Sequence, residues 1–153
     1  MTITRRKVLG AALGLPVLAV LSTTVQAATP RVYTEGGGIA VDGTDVVAYF
    51  TEGKAVAGDA GITHEWNGST WQFSSEENKA AFAADPEAYA PQYGGYCAYA
   101  VSEGYTAPTD PAAWSIVDDK LYLNYSRSVR ALWNVSKRSR IEAGDRNWPG
   151  VLN

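Results

Sequence analysis

Cys97 is the only cysteine in the chain and His64 the only histidine. A thiolate and an imidazole are the side chains that best bind soft and borderline metals. Two such ligands suit Cu(I), which tolerates low coordination; Zn(II) wants four, and the missing two would have to come from carboxylates, water or a second subunit. The counts exclude zinc sites built within one chain from four cysteines, from two cysteines and two histidines, or from three histidines. They also exclude any Ser-His-Asp triad not built on His64. The competing reading is structural, with Cys97 a small buried hydrophobe and His64 a hydrogen-bonded strand residue. Their separation of 33 positions carries no information about distance. A Cys-His nucleophilic dyad would use the same two residues, but no acid or amide stands out as its third member, so a thiol enzyme is the weakest reading. Glu76-Glu77 and Asp118-Asp119, the paired carboxylates, stand at cap and turn positions rather than as an acid/base pair.

The N-terminus fixes where this chemistry would operate. Arg5, Arg6 and Lys7 precede an apolar run from Val8 to Leu21, then Ser22-Thr23-Thr24 and Val25-Gln26-Ala27. That order is the n-, h- and c-region of a secretory signal, with cleavage expected after Ala27 or one residue later. The run is too short for the ~20 apolar residues of a membrane span, and Gly10, Gly14 and Pro16 interrupt it. Thr4-Arg5-Arg6-Lys7-Val8-Leu9-Gly10 is similar to the twin-arginine export motif, with Val8 in place of the usual phenylalanine; an ordinary secretory signal stays open. Residues 28–153 then form one domain with ten basic and sixteen acidic residues, a formal charge of −6, which disfavours nucleic acid as a partner. With one cysteine no intrachain disulfide can form, so the fold must rest on its core.

The elements that must position Cys97 and His64 follow from local pattern. Asp45-Val46-Val47-Ala48-Tyr49-Phe50 is β-prone and reads as a buried strand. Thr63-His64-Glu65-Trp66 and Thr70-Trp71-Gln72-Phe73 flank Asn67-Gly68, a strong hairpin signal that places His64 and Trp66 on one strand face. Ser74 with Glu77 three residues on reads as a capping box opening a helix through about Ala84, and Asp85-Pro86 starts a further helical turn anchored by Tyr89. Ser115-Ile116-Val117 and Leu121-Tyr122-Leu123 flank Asp118-Asp119, a second hairpin. Ser126 caps a last helix with Val129, Leu132, Trp133 and Ile141 near one face. Paired glycines in Tyr93-Gly94-Gly95-Tyr96-Cys97 permit tight turns before the thiol. No internal repeat is evident. The fold class is α+β, a small antiparallel sheet with short helices packed on it and a C-terminal helix.

Taken together, Asp45 to Phe50, the Trp66-Asn67-Gly68 hairpin, Phe73-Ser74-Ser75-Glu76-Glu77-Asn78, Phe82 with Asp85-Pro86-Glu87-Ala88-Tyr89, and Ala90-Pro91-Gln92-Tyr93-Gly94-Gly95-Tyr96-Cys97-Ala98 resemble the exported branch of the YHS-domain proteins. Asp118 to Tyr125 and Asn147-Trp148-Pro149 also fit that branch, with Asp119 standing where glycine is expected. The resemblance implies a small metal-binding module related to the treble-clef zinc folds and found beside copper and heavy-metal transport. Phe73 and Asn78 stand where metal-handling relatives tend to carry cysteine, which leaves Cys97 and His64 as the ligands and copper as the ion. The expectation is therefore a periplasmic copper-binding module, with a site shared between two protomers as a variant. Its rival is a non-metal interaction module that docks an envelope protein through the aromatic residues around Tyr96 and Tyr99.

Overall fold

The structure, a computed structural model, describes residues 10–25 and 27–153; Arg5, Arg6 and Lys7 of the export motif lie outside the described residues. Residues 10–25 and 27–29 carry no regular secondary structure. Among the described residues no helix is long and apolar enough to cross a membrane. The remainder is mixed α+β, and two two-stranded antiparallel sheets replace the single sheet expected.

Two halves of the chain repeat one design. In the first, three residues with left-handed backbone (Val41, Asp42 and Gly43, φ 42°, 57° and 72°) lead into the six-residue helix α1, Val46–Thr51. In the second, Tyr93, Gly94 and Gly95 (φ 59°, 64° and 85°) lead into α4, Ala98–Glu103, of the same length. Each helix is followed by a hairpin: β1 (Asp59–Trp66) with β2 (Ser69–Phe73), and β3 (Asp110–Val117) with β4 (Lys120–Asn124). The registers coincide. Trp66 pairs with Ser69 and Val117 with Lys120, and each sheet slips its register once, between Asp59 and Thr63 and between Asp110 and Trp114. A nine-residue helix closes each half, α2 (Glu76–Ala84) and α5 (Arg127–Val135), capped by Ser75 Oγ and Ser126 Oγ, each 3.1 Å from the third amide on. The apparent lack of an internal repeat is thus overturned.

Several local expectations shift. Asp45 to Phe50 is not a strand. The Asp45 carboxylate accepts from the amides of Val47 (3.0 Å) and Ala48 (3.3 Å), and this capping turns a β-prone run into α1. The cap of α2 is Ser75 rather than Ser74, and the short helical turn at Asp85-Pro86 is α3, Pro86–Tyr89. The C-terminal helix is two helices broken at Ser136, α5 and α6 (Lys137–Asn147). Leu132, expected on the buried face, is 57% exposed.

One core runs through both halves. Phe82 on α2 and Trp133 on α5 are fully buried, and each lies over an aromatic of its own hairpin: Trp71 at 5.0 Å and Tyr122 at 5.2 Å between centroids. Large aromatic burial of this kind supplies most of the driving force for so small a domain. Tyr49 crosses between halves, its hydroxyl donating to the Pro111 carbonyl at 2.7 Å and its ring lying 5.4 Å from Trp114. Tyr93 anchors α6, donating to Asp145 Oδ1 at 2.9 Å. A Cβ on Gly144 would come within 2.6 Å of that tyrosine's oxygen, so α6 can approach only because the residue is glycine. Burial, reinforced by the hydrogen bond to Asp145, pushes the Tyr93 hydroxyl well above the usual tyrosine range and keeps it a donor.

Candidate metal centre

Cys97 occupies the N-cap position of α4, the place that Asp45 holds before α1. Their backbone amides make the same closing bond, Asp45 to the Val56 carbonyl at 2.9 Å and Cys97 to that of Ala107 at 3.0 Å. Asp45 is fully buried and its two oxygens accept five hydrogen bonds. Oδ1 takes the Val47 and Ala48 amides, and Oδ2 takes the Ser74 amide (2.8 Å), Ser74 Oγ (2.6 Å) and Asn78 Nδ2 (2.8 Å). The carboxylate therefore ties the start of α1 to the end of β2 and to α2.

In the second half two residues divide that work. Cys97 Sγ accepts the Tyr125 amide at 3.3 Å, as Asp45 Oδ2 accepts the Ser74 amide. Asn124, which stands where β2 has Phe73, supplies the other oxygen: its Oδ1 accepts the Tyr99 amide at 3.0 Å, the counterpart of the Val47 amide. The thiol faces this same oxygen at 3.6 Å, an S–H···O contact. Cys97 is 1% exposed, and Asn124 is fully buried with its Nδ2 unpartnered.

His64 lies elsewhere. It is on β1 opposite Trp71, half-buried, with its ring 6.0 Å from Phe82 in an edge-to-face contact. The two candidate ligands thus sit in different halves, each with its own neighbours. Phe73 is in the core and Asn78 is spent on Asp45, so the two positions expected to hold cysteine in metal-handling relatives are both structural. Among the described residues no three His, Cys, Asp or Glu side chains converge. The described residues therefore offer no four-ligand zinc site. Tyr96 is buried, donating to the Pro30 carbonyl at 2.7 Å, and Tyr99 lies beneath the Arg140 guanidinium at 4.0 Å.

The family model of the YHS domain matches residues 47–93. Those residues are a YHS domain. YHS domains are, as a class, metal-binding domains, and here the domain runs from α1 through the first hairpin, α2 and α3 to Tyr93. It contains His64 and stops short of Cys97. No curated protein and no solved structure matches the chain. The N-cap pair Asp45 and Cys97, and Asn124 with it, escaped sequence reasoning as a set. The signal that would have found them is the recurrence of a hairpin followed by a serine-capped helix, 51 positions apart in Ser75 and Ser126.

Proposed function

We propose that this chain is an exported, periplasmic metal-handling module that binds copper as Cu(I), with Cys97 as its thiolate ligand and, because the two residues lie in different halves, His64 of a second copy as its imidazole ligand. The observation that carries the reading is the lone thiol: it is buried, its sulfur accepts one amide N–H, and the acceptor that caps the helix amide is Asn124 Oδ1 instead of the sulfur. A sulfur not consumed by its own cap retains lone pairs for a soft cation. The YHS domain supports metal binding in general, and the signal-like N-terminus supports the compartment. Because the two residues lie in different halves, each is assigned separately by test. Protein loaded with Cu(I) under reducing conditions should hold one equivalent that falls on Cys97→Ala, with affinity weakened by His64→Ala. Unchanged stoichiometry and affinity in both variants would overturn the reading.

The docking surface expected around Tyr96 and Tyr99 is not open, since Tyr96 is buried and Tyr99 is covered by Arg140; the broader second reading, a module that works without metal, is favoured by one observation. Cys97 with Asn124 already does the structural work of Asp45, so the thiol has a role without any metal. It predicts no copper retention by the unaltered protein and a loss of stability in Cys97→Ala.

A further inference from the structure

Helix α5 presents a face that nothing covers. Leu132 and Val135 are 57% and 85% exposed, and Tyr125, just ahead of the helix, is 57% exposed. Leu132 and Val135, three positions apart, share one face of the helix. Large apolar side chains gathered on one face mark association surfaces, unlike the scattered ones any protein carries. Bases bracket this face, with Arg127 at the start of α5 and Lys137 and Arg138 just past its end, all exposed. Among the described residues the ion pair formed is Arg140 with Glu103, so these three have no carboxylate partner.

The duplication supplies the complement. Helix α2, in the same place in the first half, exposes Ala80, Ala83 and Ala84, with Glu76 and Glu77 at its start and Asp85 and Glu87 past its end. Position for position, Glu76 answers to Arg127, Glu87 to Arg138 and Ala84 to Val135. Lys79 and Arg130 match in sign, but both are half-buried, and Arg130 is bonded to Ser115 and lies over Trp114. One face is bulky and base-ended, the other flat and acid-ended. Within the chain α2 packs on α1, α3 and the first hairpin, and α5 on α4, α6 and the second, so both outer faces remain open.

We propose that the α5 face of one copy docks on the α2 face of a second copy of this chain, independently of any metal. Leu132 and Val135 lie on the alanine surface while the basic ends meet the acidic ends. Acids stand at both ends of α2 and bases at both ends of α5, so parallel and antiparallel seating both satisfy the charges. The contact joins two different patches, so it can repeat head to tail from copy to copy or be made twice, reciprocally, within a two-fold dimer.

Sedimentation of the full chain tests this with charge reversal. One variant carries Glu76→Lys, Glu77→Lys and Glu87→Lys; the other carries Arg127→Glu, Lys137→Glu and Arg138→Glu. The unaltered protein should show a mass that grows with concentration and falls as salt is raised to ~0.5 M. Each variant alone should self-associate at least about tenfold more weakly, and an equimolar mixture of the two should co-assemble, because reversed faces again oppose. Association through the apolar leader would be indifferent to both sets of changes, so unaltered self-association in the variants overturns the proposal. A monomer at every concentration overturns it too, as does a mixture that stays apart. If that monomer binds vesicles rich in anionic lipid through α5, the face belongs to a membrane.

Discussion

In the first half of the chain one carboxylate, Asp45, closes the hairpin onto both of its helices; in the second half a thiol and an amide share that task. The two arrangements sit on the same backbone, with the same left-handed entry, the same strand register and the same serine-capped helix. The difference lies in what each leaves over. Asp45 is saturated by five donors and has nothing to offer a ligand. Cys97 accepts one amide and leaves the α4 cap to Asn124, so of the two N-cap side chains only the thiol keeps electron pairs to spare.

Breaking the first cap should have as large an effect as any single change. Asp45→Ala leaves two helix amides, the Ser74 amide and hydroxyl and the Asn78 amide group without their acceptor, and should cost about 3–5 kcal/mol in urea unfolding. A loss below about 1 kcal/mol would mean that the carboxylate does not hold this half together. Exchanging the two solutions sharpens the same point. Cys97→Asp sets two oxygens against Asn124 Oδ1 with one amide to receive, and should destabilise by about 2–3 kcal/mol. Adding Asn124→Phe rebuilds the first half's pairing of Asp45 with Phe73, and the double variant should be at least about 1 kcal/mol more stable than the sum of the two single changes. Strict additivity would show that the halves are alike in outline only.

Tryptophan and phenylalanine anchor the equivalent helices, and they are not interchangeable in cost. Trp133→Ala should lose about 3–5 kcal/mol, as for any large buried aromatic. Trp133→Phe puts the first half's Phe82 into the second. It loses volume, but it also removes an indole N–H that is buried without a partner, so it should cost less than about 1 kcal/mol in thermal or urea unfolding.

Turn chemistry and caps were the legible part of this fold. Asn67-Gly68 and Asp118-Asp119 marked both hairpins, and Pro86 marked α3, because these residues act on their own few neighbours. Helix α1 was not legible: Val46, Val47 and Tyr49 are β-prone, and what makes them helical is a buried carboxylate that also holds Ser74 and Asn78, a contact between distant positions. The duplication was hidden for a similar reason. From the first strand to the end of the second helix the halves share only Asp59 with Asp110, Ser75 with Ser126 and Ala80 with Ala131; Phe82 and Trp133, or Trp71 and Tyr122, conserve shape and burial without identity. Cys97 and His64 were visible because each is alone of its type. Their separation into different halves was not, since spacing along a chain says nothing about which half will own a residue.

The smallest expected effect is in the turns, where the comparison is nearly exact. Asn67 and Gly68 have φ of 52° and 79°, Asp118 and Asp119 of 51° and 60°, so both hairpins turn through two left-handed residues. Asparagine followed by glycine suits that geometry; an aspartate at the second position carries a Cβ into a region that costs an L-residue about 1–2 kcal/mol in the least favourable cases. Glycine, however, must give up more backbone freedom on folding. Asp119→Gly should therefore stabilise by only about 0.5 kcal/mol, and Gly68→Asp should destabilise the first hairpin by a similar amount. If Asp119→Gly lowered the unfolding midpoint instead, the side chain at this tip would have to be making an interaction that outweighs the strain of its backbone.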